Sequence, residues 1–564
     1  MIYLIIAFLS FLITIVSTPY LISYLIKKDI VDRPNGDERH IHTEPIPRMG
    51  GIIIFAVIII ITFAFYQDIF SKKYFIAGAI LAFTLGLVDD IRGLSWQIKF
   101  VVQSFIAILL IKSLEANHFY IIKFIGITLP PILDYVVLFI LIVGLLNSFN
   151  LMDGLDGLVS GYTLIIASMC FMLSTGSPFT FRLYLSSAII GTTLGFLKFN
   201  ANPARIFLGD SGSLTLGYFI SALVIIISGE VSASTSEITQ GMSRSIDLGF
   251  IIIALAVPIA DTIRVMLVRI HQRKNPFLAD SNHLHHILYS QKLRHKTVVM
   301  LIHLFSIMFV LLAIYYAKVS KTTAFIIFIL MLTAFFSVKQ IVEFIIRKEN
   351  LLAYGKLYKK IPEMIPKIYK NILLPLIALM LLILFVFLVF TEINRSQKLY
   401  AYFLLFLIPS LLYSGTNLRK KNYYAELLVL INIIVFFIIT GLNGFFYKLY
   451  PVPIIAQINI NQIFIITLAG MIIFFVLFKE RIANIRQQFL TGTDLTIAVL
   501  ILFIYLAVQI INLPESYKVS DTLLRSFLVF LFYKIVIATM PRFHFSLYYS
   551  SFVISVIAIL KSLF

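Results

Sequence analysis

Two amides and two carboxylates interleave with glycines in Asn147-Ser148-Phe149-Asn150-Leu151-Met152-Asp153-Gly154-Leu155-Asp156-Gly157-Leu158, directly after an apolar run long enough to cross a bilayer. Ionisable groups beside a membrane are costly, so this density points to chemistry rather than packing. Further clusters share the character. Asp89-Asp90 follows Gly86-Leu87-Val88, and Asp210 lies in Leu208-Gly209-Asp210-Ser211-Gly212-Ser213. Asp261 and Arg264 fall within one apolar run, and His283, His285 and His286 follow Asp280-Ser281-Asn282. Adjacent carboxylates either repel and recruit a cation or lie solvated at a helix end. Carboxylate and amide oxygens suit a hard cation whose remaining positions go to water and phosphate. Nothing resembles an EF-hand loop or a thiolate zinc site. His283 and His286 have helical i, i+3 spacing that could bind zinc; with no Cys nearby, contact with a sugar or phosphate is favoured. The glycines at 209 and 212 allow a tight turn into a helix N-terminus, a favourable place for phosphate.

Composition names the scaffold. The chain is 60% hydrophobic and 13% charged, with a mean hydropathy of +0.98. Lipid accommodates that much apolar side chain; a soluble core does not. Apolar runs fall at 2–26, 50–68, 74–88, 98–113, 131–148, 157–175, 182–199, 213–228, 249–268 and 297–317. A second series follows at 323–346, 373–391, 399–415, 423–446, 461–478, 495–511, 522–539 and 545–563. The expected fold is all-α, a polytopic transmembrane helical bundle with a block of about ten helices and about eight additional ones. Segment 2–26 lacks a basic start and a small-residue cleavage site, so it reads as a retained first span. The single cysteine, Cys170, excludes an intrachain disulfide.

The net charge of +19 could suggest nucleic acid, but the basic residues fall in short loops between spans. Loops 27–48, 89–99, 199–212, 269–296, 347–372, 416–422 and 479–489 share one side and hold roughly twice the Lys and Arg of the opposite loops, the bias of a cytoplasmic face. The N-terminus is then outside, and every polar cluster is expected at the cytoplasmic ends of helices. An anionic lipid surface and anionic substrates are the expected partners, with no nucleic acid. The basic stretch 347–372 reads as an interfacial segment.

Taken together and in order, Pro47-Arg48-Met49-Gly50-Gly51, Asp89-Asp90, Asn147 to Leu158, Gly209-Asp210-Ser211-Gly212-Ser213 and His283 to His286 resemble the polyprenyl-phosphate N-acetylhexosamine-1-phosphate transferases. This is glycosyltransferase family 4, whose bacterial members begin peptidoglycan, teichoic acid and lipopolysaccharide O-antigen intermediates. The resemblance covers about residues 1–317. It implies transfer of N-acetylhexosamine 1-phosphate, GlcNAc 1-phosphate above all, from a UDP-sugar to undecaprenyl phosphate with release of UMP. It implies Mg²⁺, with Mn²⁺ as a substitute, in a bacterial cytoplasmic membrane with the site facing the cytoplasm, and admits a homodimer.

By the same resemblance, Asp89, Asp90 and Asp210 are the expected catalytic residues. Asp89 receives or orients the acceptor phosphate proton, and Asp90 supports it or helps hold the metal. Asp210 binds Mg²⁺ with Asn150 as an added amide oxygen. Lys99 contacts the donor pyrophosphate, a task suited to a point cation; snorkelling to the interface is its bland alternative. Asp156 meets the uracil edge, Asp153 shapes the pocket or the surroundings of the metal, and Asn147 binds substrate. His283, His285 and His286 meet the sugar or pyrophosphate, and their His-x-His-His pattern resembles the UDP-N-acetylhexosamine branch. Arg264 is read as substrate-binding or as the partner of Asp261 three residues earlier. Arg48 is read as serving substrate or the charge bias of the loops, and His40 and His42 carry a weaker signal still. Gly93 stands where some relatives carry a third acid. Direct attack by the lipid phosphate is favoured over a covalent intermediate, which stays open.

Three domains are expected: 1–317 as the transferase block, 318–372 as a span and basic linker, and 373–564 as an additional membrane domain. In the last, Asp494, Asp521 and Gly441-Leu442-Asn443-Gly444 form no convergent set. A lipid-linked sugar transporter or flippase and a non-catalytic scaffold are the competing classes. Transporters place their sites near the midplane in broken helices, whereas here the acids gather at helix ends.

Overall fold

The computed structural model describes residues 2–33 and 45–349, apart from 67, 116–120, 125–126, 129–130, 176–179, 233–244, 275–282 and 292. Beyond these it describes 371, 469–470, 472, 492–511, 524–532 and 534–535. His40, His42, Asp280 to Asn282, Asp521, the Gly441 turn, most of the basic stretch 347–372 and the expected spans at 373–391, 399–415, 423–446 and 545–563 lie outside the described residues, as does nearly all of 461–478. The chain divides into two compact units, Met1–Ile346 with Gly492–Phe503, and Arg347–Thr491 with Ile504–Phe564.

In the first unit each of the ten apolar runs is helical, as backbone groups in lipid require. The helices are α1 (Ile2–Lys27), α2 (Gly51–Phe65), α3 (Lys73–Arg92), α4 (Trp96–Glu115) and α5 (Pro131–Met152). They continue with α6 (Leu158–Ser174), α7 (Thr180–Asn200), α8 (Gly209–Ser232), the pair α9 (Leu248–Ala254) and α10 (Ala256–His271), α11 (Leu284–Ser290) and α12 (His295–Lys318). Two more, α13 (Lys321–Phe336) and α14 (Val338–Glu349), follow. Among the described residues 6 helices are long and apolar enough to span, or up to 8 when each bent pair counts as one.

Helix α8 is the axis of the unit, buried along nearly its whole length and packed by α2, α3, α5 and α6. Small residues bring helix backbones together where lipid provides no hydrophobic drive. Gly191 and Gly195 of α7 face the carbonyls of Ala7 and Phe11 on α1. Ser10, Thr14 and Thr18 line the buried face of α1; Thr14 and Thr18 return hydrogen bonds of 2.7 and 2.6 Å to carbonyls four residues earlier.

Two expected spans are not single helices. The run 249–268 breaks at Leu255, where α9 and α10 meet at 85°. Pro258 lies in the first turn of α10, a place that needs no N–H, so the new helix starts without losing a bond. The run 323–346 bends by 57° at Ser337. Its second half, α14, carries Lys339 and Glu343 among apolar residues and is strongly amphipathic.

Away from the acidic clusters, β1 (Ile121–Phe124) pairs antiparallel with β2 (Ile127–Thr128) and parallel with β3 (Ser245–Asp247). Asp247 then caps α9 by accepting the Phe250 N–H at 3.1 Å. It also accepts the Tyr316 hydroxyl and the Lys321 ammonium, each at 2.8 Å. Asp247→Ala removes all three and leaves the caps of α9 and α13 unlinked. A stability loss of about 1.5–3 kcal/mol is expected, read as a lower unfolding midpoint in detergent with unchanged substrate KM values.

In the second unit, Arg525 and Lys534 are buried in an apolar helical stretch, and Lys534 lies 5.5 Å over the Phe530 ring. The further helix α15 (Gly492–Ile511), whose Gly492–Phe503 stretch belongs to the first unit, carries Asp494 in its first turn.

Candidate active site

Alternating spans bring the C-terminal ends of α3, α5 and α7 and the N-terminal ends of α4, α6, α8 and α12 to one end of the first unit. There the separate acidic clusters of the sequence become one. Asp89, at the end of α3, pairs with Lys99 of α4, and Lys99 Nζ also reaches Asp210 Oδ2 at 3.4 Å. Asp89 and Asp210 thus share one lysine. Asp89 Oδ1 further accepts the Leu94 N–H at 2.7 Å, which closes the turn after α3. Asp89 is 3% exposed and Asp210 31%, so Asp210 is the carboxylate open to a ligand.

Asp90, its neighbour, faces the other way. Its two oxygens accept the N–H groups of Asp210 at 2.9 Å and Ser211 at 3.0 Å. It thus caps α8 from another helix, filling donors that have no intrahelical partner. Arg48 approaches the same carboxylate at 3.7 Å. Gly209 has φ +74, a left-handed turn that places these N–H groups in front of Asp90. The Pro47–Gly51 stretch is bonded to this turn: Gly50 and Gly51 N–H donate to the Phe207 and Leu208 carbonyls, each at 3.0 Å. Asp90 therefore positions Asp210 with one hydrogen bond to each of its oxygens. Arg48 belongs to the same support.

The Asn147–Leu158 segment forms the facing wall. Asn150 Oδ1 accepts the Ser213 hydroxyl at 3.0 Å, which ties α5 to the first turn of α8. Asn147 lies one turn earlier on the same face of α5. Asp153 lies near the Gly209 N–H. Burial, then the charges of Asp210, Asp90 and Asp156, push its carboxyl well above the usual range. Asp156 holds a turn. Its Oδ2 accepts from Asn202 Nδ2 at 2.9 Å and from the Ala204 N–H at 3.1 Å, while its own N–H donates to His295 Nε2 at 3.2 Å. One oxygen of Asp156, Oδ1, stays clear of that turn and can meet a ligand edge.

The histidines follow on α11. Asp261 of α10 accepts from Arg264 at 2.7 Å, and its other oxygen lies 2.9 Å from His283 Nδ1. It also accepts the Leu284 N–H at 2.9 Å. Of the two readings of Arg264, the structure shows the ion pair on its own helix. His285 packs its Nε2 against the backbone of Gly154. Burial, and the neighbouring His286, push its pKa down to about 3, so it is neutral at ordinary pH. The His286 ring lies 4.2 Å from that of His285. Through Gly154 the histidine motif reaches the residue next to Asp153.

Asp261 was counted among the candidate polar clusters and Ser213 lay inside the Gly209–Ser213 motif, but neither was given a role of its own, and neither was Asn202 or His295. His295 carried no signal, because a histidine opening a span looks like any interfacial polar residue.

Comparison with known proteins agrees with this geometry. The family model described as glycosyl transferase family 4 matches residues 73–228, the stretch from α3 through most of α8. The chain is 32% identical over 338 residues, 59% of its length and 90% of the relative's, to a probable undecaprenyl-phosphate N-acetylglucosaminyl 1-phosphate transferase of Bacillus subtilis. It is 31% identical over 290 residues, 51% of its length and 82% of the relative's, to an undecaprenyl-phosphate alpha-N-acetylglucosaminyl 1-phosphate transferase of Thermotoga maritima. A phospho-N-acetylmuramoyl-pentapeptide-transferase of Caldicellulosiruptor bescii is 34% identical over 248 residues, 40% of this chain and 74% of that one. Shared sequence over nine-tenths of a relative, together with acids gathered from α3, α5 and α8, makes this chain a member of glycosyl transferase family 4, in the polyprenyl-phosphate N-acetylhexosamine-1-phosphate transferase superfamily.

Proposed function

We propose that the protein transfers GlcNAc 1-phosphate from UDP-GlcNAc to undecaprenyl phosphate, releasing UMP, at the cytoplasmic face of a bacterial inner membrane. The observation that carries this reading is Lys99 held between Asp89 and Asp210 at the head of α8. That arrangement offers one cation and an open carboxylate where two phosphates must meet. The names of the relatives support the sugar and the polyprenyl acceptor, and the Lys and Arg bias of the loops supports the orientation.

In the reaction an oxygen of the lipid phosphate attacks the phosphorus bonded to the sugar, and the bond to the UMP oxygen breaks. One phosphoanhydride replaces another, so the protein's task is to position two anions and neutralise their repulsion. Lys99 meets the donor pyrophosphate. Asp89, already paired to Lys99, takes up or orients the acceptor proton. The free oxygen of Asp156 is placed for the uracil edge, and His283, His285 and His286 for the sugar phosphate.

The residues present suit Mg²⁺. The donors are hard oxygens, and the charges of Asp210, Asp90 and Asp156 add to burial in driving up the Asp153 pKa, a crowding of negative charge that a cation would relieve. Asp210 and Asn150 would hold the ion, which would supply neutralisation of the phosphate charge when bound. The test is radiolabel transfer by the full chain in lipid nanodiscs, with UDP-GlcNAc and undecaprenyl phosphate. Transfer is expected with Mg²⁺ and not with EDTA. Trp96, the sole tryptophan, lies three residues before Lys99 and gives a second readout, a fluorescence change on adding Mg²⁺ and donor. Failure to use any UDP-sugar would sink the proposal.

A further inference from the structure

Asp261 is buried on α10, six residues beyond the break at Leu255, and no role in the transfer falls to it in the scheme above. Its carboxylate nevertheless has three partners. One oxygen accepts the Arg264 guanidinium and the Leu284 N–H, and the other lies 2.9 Å from His283 Nδ1. Leu284 is the first residue of α11, and its N–H is a donor that the short helix cannot satisfy itself. His283, the N-cap, bonds no backbone group with its own side chain. The carboxylate does the capping instead and grips the imidazole next to it.

We infer that Asp261 is the positioning residue of the histidine motif: it fixes the tautomer of His283 and the start of α11, and so aims His283 at the donor sugar phosphate. The inference rests on the proposed transfer reaction. A carboxylate on Nδ1 places the hydrogen on that nitrogen and leaves Nε2 as the outward face. The same bond network fixes the direction in which α11 departs, which places His285 against Gly154 and His286 beside His285. The break in the span has a purpose in this arrangement. A straight helix through 249–268 would carry Asp261 along the bilayer normal, whereas the 85° turn redirects α10 and the carboxylate it carries.

The experiment compares unsubstituted protein with Asp261→Asn, His283→Gln and the double variant, each as the full chain in nanodiscs. Asparagine keeps the size but cannot serve three donors. Asp261→Asn is expected to raise the KM for UDP-GlcNAc about 10- to 100-fold, the usual effect of losing a group that orients a functional histidine, with the KM for undecaprenyl phosphate unchanged. A merely structural loss would reduce the fraction of active protein, and hence kcat alone. On the His283→Gln background the same change should cost little more, because both act through one imidazole. Should Asp261→Asn not accumulate as folded protein, Asp261→Glu takes its place, with a smaller rise in donor KM expected. Additive losses, equal shifts in both KM values, or a fall in kcat alone would overturn the inference. Absence of transfer by the unsubstituted protein would strike the reaction assignment itself, and this inference with it.

Discussion

Asp89→Asn is expected to lower kcat for sugar-phosphate transfer by about 10²–10⁴, the range for losing a group that handles a proton in the transition state. The fold should survive the change. Asparagine Oδ1 still accepts the Leu94 N–H that Asp89 accepts at 2.7 Å. Lys99 retains Asp210, 3.4 Å away, as a counter-charge. Removing one carboxylate from a cluster of four also relieves repulsion, so a stability change within about 1 kcal/mol is expected. Steady-state kinetics and a thermal unfolding curve on the same preparation check both halves. A kcat within tenfold of the unsubstituted value would move the proton's destination away from Asp89.

Gly86→Ala is expected to damage stability and rate together. A methyl group on Gly86 would overlap the backbone carbonyl of Asp210, where α3 and α8 touch. Both sides of that contact are backbone, so no rotamer can absorb the added volume. Overpacking of this kind costs about 1–3 kcal/mol. The helices must separate, and Asp89 and Asp210 separate with them. A displacement of about 1 Å at the reacting groups costs about 10² in rate. Gly144→Ala is the matched control, because a Cβ there meets nothing within 4 Å. Equal behaviour of the two variants would mean that the α3–α8 contact does not set the site.

The spans were readable because lipid demands long apolar runs, and a 15-residue run such as α2 still stands out against polar loops. The polar clusters were readable for the complementary reason, that charge beside a membrane needs justification. The break at Leu255 was hidden, since the residue is apolar and Pro258 is as compatible with a helix start as with a kink. Helix α11 is only 7 residues long and leaves no periodic trace. The resemblance implied different roles for Asp89 and Asp90, but the contacts that separate them were not readable from the residues. Two adjacent carboxylates look alike in sequence, and only the position of α8 shows that one turns towards Lys99 and the other towards the N–H groups of Asp210 and Ser211.

Capping α8 from α3 sets a timetable for biosynthesis. The partners of Asp90 lie 120 and 121 residues further along the chain. At a synthesis rate of about 5–20 residues per second, those 120 residues take about 6–24 s to arrive after Asp90 itself. Throughout that interval α3 is already made, and its two terminal carboxylates have Lys99 and Arg48 as near counter-charges. Water at the membrane surface must solvate them until α8 enters and displaces it. No early hairpin of the nascent protein is therefore competent for chemistry, and insertion of α8 converts a set of membrane helices into an enzyme.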